Sequence, residues 1–423
     1  MNSRERVRLA LNHKQGDRVP LDLGGTAVTG MQASMVYKLR QALGLDAPGT
    51  PVKVTEPFQM LGEIGLDLID ALGADCVPLA GKGTFFGFKN EGWKPWTLFD
   101  GTPVLVPAGF NTKPDEDGAI LLYPEGDKSA PPSGKMPKNG YYFDPLIRQE
   151  PIDEEKLSVE DQVEEFAPFS DEELNELTCE AERLYNETDK ALVVSLGGQG
   201  ASLGDIAFIP APMLKRPKGI RDFQEWYLST MTRRDFLLKV FDRQSDIALE
   251  SIKRLYEAVG DKVAAVFLIG TDFGMQHNPF ISNETYRELY MPYSMKLTSW
   301  IHKNTKWKTF MHSCGAVLPL IEDFIATGFD ILNPVQCSAT GMDPRELKQR
   351  FGDRLTFWGG AVNTQHTLPY GTPDQVRREV RERIEIFGRD GGFVCNAIHN
   401  IQAKVPIENV LAFFEAHREY GHY

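Results

Sequence analysis

The residues best suited to chemistry lie in the segment 308–315, which reads KTFMHSCG. A β-prone run ends there in His312 and Cys314. Alternation along a strand places residues two apart on the same side, so this imidazole and this thiolate can bind one soft metal ion such as zinc. The alternative is a hydrogen-bonded histidine beside an inert thiol. A metal site of catalytic type would need a third ligand and an open position.

Two residues near the C-terminus compete for the place of third ligand. Cys395 ends another strand-like run, and His399 follows it in a loop. Either residue would give two close ligands and a distant one, which is the spacing of a catalytic metal site. Asp272, in the segment GTDFGMQ, is a candidate fourth ligand, substrate contact or turn residue. The residues alone leave these alternatives open.

The elements that must position these side chains form a regular series. Strand-like apolar runs alternate with helical stretches, and short buried strands separated by helices predict a parallel sheet. Eight such runs predict an α/β fold of the closed (β/α)₈ (TIM) barrel type. The runs lie at residues 19–22, 75–79, 191–196, 264–269, 309–312, 329–332, 355–358 and 392–395.

Residues 83–150 differ from the rest of the chain. Aromatic residues alternate there with Gly and Pro, and two short β-prone runs flank the turn sequence DEDG. We therefore predict one (β/α)₈ barrel domain over residues 1–423, with a β-hairpin and loop insertion at residues 83–150 in its N-terminal third.

The working residues of such a barrel lie at the C-terminal ends of its strands. We expect Asp272 and His312 to be catalytic residues there. The substrate contacts expected at the same rim come from polar residues that follow the strand-like runs: Asp22, Gln199, Asp272, Gln336 and His399.

The bulk composition excludes several classes of function. A formal net charge of −13 argues against a nucleic-acid or anionic-membrane surface. No apolar run approaches the roughly 18–20 residues that span a bilayer. The charged N-terminal segment lacks the apolar centre of a signal peptide, and the five cysteines are too sparse for a disulfide framework. We therefore expect a cytoplasmic protein.

Taken together, these segments resemble the uroporphyrinogen decarboxylase superfamily, and within it the cobalamin-dependent methyltransferase branch. The resemblance extends over most of the chain in several blocks, which read SRERVRLALNHKQGDRVPLDLGG, GTDFGMQHNPFIS, MHSCGAVLPLIEDFIATGFDILNPVQ, MDPRELKQRFGDRLTFWGGAVNTQHTLPYGTP and HNIQAKVPIENVLAFFEA. The superfamily implies a (β/α)₈ barrel.

The methyltransferase branch implies zinc on a His-x-Cys pair plus a distant cysteine. His312 and Cys314 match the pair, whereas the family's cysteine falls nearer His399 than Cys395. Such enzymes move a methyl group between a small methylated substrate or thiol and a corrinoid protein. Asp-x-His-x-x-Gly, which marks a cobalamin-binding module, is missing from the sequence, so cobalamin would be supplied by a separate partner protein.

The decarboxylase branch is the alternative. Its members bind substrate carboxylates with an arginine-bearing segment near the N-terminus, where this chain reads LGGTAVTGM without arginine. Without those cations, several carboxylates would lack their main attraction. The expected function is therefore a zinc-dependent methyltransferase acting on an ether, amine or thiol. The alternatives are a metal-free decarboxylase or lyase acting on a smaller acid, and a non-catalytic binding barrel.

Overall fold

The computed structural model describes residues 1–423 and contains 15 strands. In chain order the strands are β1 (Val52–Glu56), β2 (Leu61–Gly62), β3 (Cys76–Leu79), β4 (Lys94–Thr97), β5 (Pro103–Val106), β6 (Thr112–Pro114), β7 (Ile120–Leu122), β8 (Gly134–Met136), β9 (Asp144–Pro145), β10 (Ala191–Ser195), β11 (Val263–Ile269), β12 (Lys308–His312), β13 (Ile331–Asn333), β14 (Thr356–Trp358) and β15 (Phe393–Val394).

Fourteen α-helical segments connect or cover these strands. They are α1 (Ser3–Ala10), α2 (Ala33–Ala42), α3 (Leu66–Leu72), α4 (Val159–Gln162), α5 (Asp171–Glu187), α6 (Phe223–Thr232), α7 (Arg234–Val259), α8 (Asn283–Thr285), α9 (Met291–Asn304), α10 (Ile321–Thr327), α11 (Pro344–Phe351), α12 (Thr367–Tyr370), α13 (Pro373–Phe387) and α14 (Ile407–Tyr420). A π-helical turn, Tyr286–Tyr290, joins α8 to α9. None of these helices is both long and apolar enough to cross a membrane.

Seven parallel strands form the barrel sheet, in the order β15-β14-β13-β12-β11-β10-β3. The predicted first strand at residues 19–22 is reduced to a single parallel bridge between Leu21 and Cys395. It nevertheless closes the barrel, because Leu21 O accepts from Asp75 N at 2.7 Å and Pro20 O accepts from Cys395 N at 2.8 Å. The predicted (β/α)₈ barrel is confirmed, with its first strand shortened to this connection.

Two hydrophobic layers hold the barrel. Side chains from alternate strand positions, including Val193, Phe267 and Phe310, fill the interior, and Val7 and Leu11 from α1 and the residues after it pack against them. A larger apolar layer lies between the sheet and the surrounding helices. Because α1 blocks one end of the barrel, only the C-terminal ends of the strands remain for a site.

Two small four-stranded sheets account for the remaining strands, in the orders β2-β1-β5-β4 and β6-β7-β8-β9. They pack around a separate aromatic cluster that includes Phe86, Phe110 and Phe143. The first of these sheets extends beyond the predicted insertion at residues 83–150, because β1 pairs in parallel with β5.

Candidate metal centre at the barrel mouth

Three potential metal ligands meet at the C-terminal end of the barrel. His312, Cys314 and His399 each offer one ligand atom, and these atoms all lie within 4.8 Å of one another. The Sγ of Cys314 is 3.4 Å from Nε2 of His312, and the two imidazole rings have centroids 5.3 Å apart. An N, S and N donor set, from the end of β12, the loop after it and the loop after β15, matches the ligands that zinc takes in catalytic sites.

The loop that carries Cys314 is fixed against the loop after β11. Asp272 Oδ1 accepts a hydrogen bond from Cys314 N at 2.6 Å and lies 3.7 Å from His312 Nε2. Gly315 has a φ of +92°, and a Cβ there would lie 2.4 Å from the backbone of Gly274. Only glycine permits this close approach of the two loops. Cys314 is thereby held beside His312.

Gln336 supports the same loop from the neighbouring strand end. Its Oε1 accepts from Gly315 N at 2.8 Å, and its Nε2 donates to Gln276 Oε1 at 3.1 Å. Both ends of this amide are therefore used by the protein itself. Gln199 lies half-buried in the turn after β10 and presents its amide without a side-chain hydrogen bond.

The loop after β15 brings His399 to the mouth. Asn396 and Asn400 tie this loop to residues 22–30, because Asn396 Nδ2 donates to Asp22 O at 2.9 Å and Asn400 Oδ1 accepts from Gly30 N at 2.6 Å. Burial, with a smaller contribution from His312, lowers the pKa of His399 to about 3. The imidazole is therefore neutral at physiological pH and keeps a lone pair for a metal.

The structure places Cys395 away from this cluster. Its side chain is fully buried in the hydrophobic layer of the barrel, and burial raises the pKa of its thiol. Asp22 is also fully buried; its Oδ2 accepts from Trp358 Nε1 and its Oδ1 from Gly25 N. Burial raises the pKa of Asp22 to about 6. Neither side chain belongs to the group of converging ligand atoms.

Asp205 and Tyr227 are polar residues at the mouth that the sequence pattern did not single out. Asp205 is 7% exposed; one of its oxygens accepts from Ala207 N, and the other lies beside Gly270 at the end of β11. The hydroxyl of Tyr227 is buried without a hydrogen-bond partner, and burial together with Asp272 and Asp205 raises its pKa to about 12. The signal available for Asp205 was its position in the loop after a barrel strand.

Burial, together with the charge of Asp272, raises the pKa of Asp205 from 3.8 to about 7. In the unfolded chain the Asp205 carboxyl has its ordinary pKa, so it loses its proton at a lower pH than in the folded protein. Between about pH 4 and pH 7, rising pH therefore stabilises the unfolded chain relative to the folded protein. We expect Asp205→Asn to remove that dependence. The stability of the variant relative to the wild type should rise by about 2–3 kcal/mol between pH 5 and pH 8.

Urea unfolding at the two pH values measures this difference. The matched control is Asp353→Asn, whose side chain is 80% exposed. Parallel stability profiles for Asp205→Asn and the wild type would contradict the prediction.

Comparison with known proteins identifies the family. A family model described as uroporphyrinogen decarboxylase (URO-D) matches residues 147–420, which is most of the chain and includes all three clustered ligands. The chain belongs to the uroporphyrinogen decarboxylase family.

Curated relatives of this URO-D family member are distant. Uroporphyrinogen decarboxylases from Psychromonas ingrahamii and Chlorobium phaeovibrioides are 27% and 26% identical to it over 180 and 195 residues. The alignments cover 40% and 44% of this chain and 47% and 52% of the relatives. The chain thus spans about half the length of the curated relatives it matches.

Among solved structures, a methyltransferase from Methanosarcina mazei is similar in fold. It aligns with a TM-score of 0.57 and 16% identity, with 99% of each chain covered. At this identity the likeness establishes the common TIM-barrel fold of this URO-D family member and that protein.

Proposed function

We propose that this URO-D family member is a zinc-dependent methyltransferase. It exchanges a methyl group between a small methylated substrate, which is an ether, amine or thiol, and a separate corrinoid protein that supplies cobalamin. The convergence of His312, Cys314 and His399 at the barrel mouth carries this proposal. The methyltransferase name of the Methanosarcina mazei neighbour is in keeping with it.

The donor set fits zinc. His399 is neutral, and the Cys314 thiol, whose pKa burial raises well above its usual value, would give up its proton on binding a metal. Zinc held by these residues would act as a Lewis acid toward the substrate heteroatom or would stabilise a substrate thiolate. A second histidine in place of a thiolate makes the ion a harder acid, which favours an ether or amine.

The charges at the mouth distinguish the proposal from uroporphyrinogen decarboxylation. Asp272 and Asp205 face this region, and neither forms an ion pair with lysine or arginine. The basic segment 215–218 is the source of cations that a decarboxylase would need. Lys215 is paired with Glu125 and Asp127 and Lys218 with Asp161, whereas the exposed Arg216 forms no ion pair. A substrate with several carboxylates would be repelled by the unpaired carboxylate of Asp272, whereas a neutral or cationic methyl donor would not.

The proposed roles follow from these contacts. His312, Cys314 and His399 hold the metal. Asp272 fixes Cys314 through its backbone and presents its second oxygen to the substrate, with Gln199 on the neighbouring rim. Gln336 supports the ligand loop, since both ends of its amide already have protein partners.

Metal analysis of protein purified without chelator tests the proposal. We expect close to one equivalent of zinc in the wild type and a large loss in Cys314→Ala, because a thiolate ligand is removed. The matched control is Cys179→Ala, an exposed cysteine on α5, which should keep its zinc. Less than about half an equivalent in the wild type, unchanged in Cys314→Ala, would refute the metal centre.

The same proteins are then compared in methyl transfer. With free methylcobalamin as a substitute for the carrier, the wild type and Cys179→Ala should demethylate it in the presence of a thiol or phenol acceptor, and Cys314→Ala should not. The metal-free decarboxylase alternative predicts instead that a chelator leaves activity unchanged.

A further inference from the structure

A chain of hydrogen bonds runs from His312 to the next strand ends. The Nδ1 of His312 lies 2.5 Å from Oδ1 of Asn333, which is the last residue of β13. The Nδ2 of Asn333 donates to the carbonyl oxygen of Trp358, the last residue of β14, at 2.8 Å. Three adjacent strands are thus connected through one buried amide.

The direction of each hydrogen bond in this chain is determined. A backbone carbonyl can only accept, so the Asn333 atom that faces Trp358 O must be the NH₂ group. The atom that faces His312 is then the amide oxygen, which also only accepts. His312 must therefore carry its proton on Nδ1. In the neutral imidazole Nε2 then keeps the lone pair, and Nε2 is the atom that faces Cys314.

The Trp358 carbonyl holds the amide in this orientation, because a flipped amide would set its own oxygen against another acceptor. Asn333 is fully buried, and a Cβ on Gly359, whose φ is +105°, would lie 3.2 Å from Asn333 Nδ2 and 2.7 Å from Pro334 O. Trp358 is fixed in turn, because its indole Nε1 donates to Asp22 Oδ2 at 2.8 Å. Asp22, which we expected to contact the substrate, instead anchors the far end of this chain.

We propose that Asn333 is a positioning residue that holds His312 as the Nδ1–H tautomer and thereby presents Nε2 to the metal. Asn333 itself does not touch the metal, and its role rests on the proposed metal centre. Removal of a residue that hydrogen-bonds a metal-binding histidine typically weakens metal affinity by about 10- to 100-fold.

The tautomer can be read without any metal. In the metal-free protein, ¹⁵N NMR of the histidine side chains should show His312 protonated at Nδ1 in the wild type. The assignment is made by comparison with His312→Gln. In Asn333→Leu the preference for Nδ1–H should be lost. A wild-type His312 protonated at Nε2 would overturn the inference.

Zinc affinity, measured by competition with a chromophoric chelator, gives the second readout. We expect Asn333→Leu to bind zinc about 10- to 100-fold more weakly, and Asn333→Ala serves where leucine prevents folding. Asn333→Asp keeps an acceptor for Nδ1 and should retain affinity within a few-fold. The matched control, Asn363→Leu, alters an asparagine that caps the turn before α12 and should bind as the wild type does.

The outcomes separate the two proposals. A wild type that binds no zinc refutes the metal centre, while the NMR result still decides the tautomer. A wild type that binds zinc, with Asn333→Leu and Asn333→Ala equally tight, overturns the role of Asn333 and leaves the metal centre standing.

Discussion

Replacing His399 with alanine is expected to weaken zinc binding by on the order of 10²- to 10³-fold. Complete protein zinc sites contribute about 10–16 kcal/mol, so one ligand of three or four accounts for about 3–4 kcal/mol. His399 lies in the ligand cluster, and Cys395 does not. We therefore expect Cys395→Ala to keep its zinc and to lose only packing energy in the core.

His399→Cys sharpens the comparison, because it restores the thiolate that the family resemblance implies at this place. We expect it to bind zinc about as tightly as the wild type. Zinc content and chelator competition are measured on variants whose circular dichroism matches the wild type. Zinc retained in His399→Ala and lost in Cys395→Ala would show that the third ligand has been assigned to the wrong residue.

The second large effect is expected at the opposite end of the barrel. Asp75 is fully buried; its carboxylate accepts from Arg6 at 2.6 Å, from Arg18 at 2.8 Å and from Leu21 N at 2.8 Å. Removal of one partner from a buried network leaves charges without compensation and typically costs about 3–5 kcal/mol. We expect Asp75→Ala to lower the free energy of unfolding by that amount.

Urea unfolding measures this change, and Asp353→Ala provides an exposed control with an expected loss below about 1 kcal/mol. Zinc bound per folded molecule should stay the same in Asp75→Ala, because the network lies far from the mouth. A loss below about 1 kcal/mol would show that water or local rearrangement replaces the network.

The barrel was predictable because its strands are short apolar runs separated by helices. The strands β10 to β12 lie close to their predicted positions, since both of their faces are buried and their pattern is therefore continuous. The first strand was overestimated. Residues 19–22 are apolar enough for a strand, but they form only one parallel bridge, between Leu21 and Cys395. The strand β1 was missed although VKVTE alternates in burial.

The site was predictable in part, for a physical reason. Strand alternation continued past His312 predicts that His312 and Cys314 share a side. The strand itself ends at His312, and the hydrogen bond from Cys314 N to Asp272 keeps Cys314 on that side. Cys395 and His399 are only four residues apart, and which of them faces the mouth depends on the asparagines that anchor their loop. The sequence pattern did not single out Asn333 either, because its proposed role depends on the hydrogen bond that its amide donates to Trp358 O on the neighbouring strand.

The single bridge that closes the barrel has a consequence for synthesis. Val19 N donates to Gly421 O, His417 Nε2 contacts Val19 O, and Leu21 pairs with Cys395. The residues that complete the ring are thus nearly the whole chain length apart. While the ribosome is translating the middle of the message, residues 19–22 still lack Cys395, so the sheet has an open edge there that can pair with other chains. The barrel can close only after Cys395 has been synthesised. Protection by chaperones would therefore be needed most before that point.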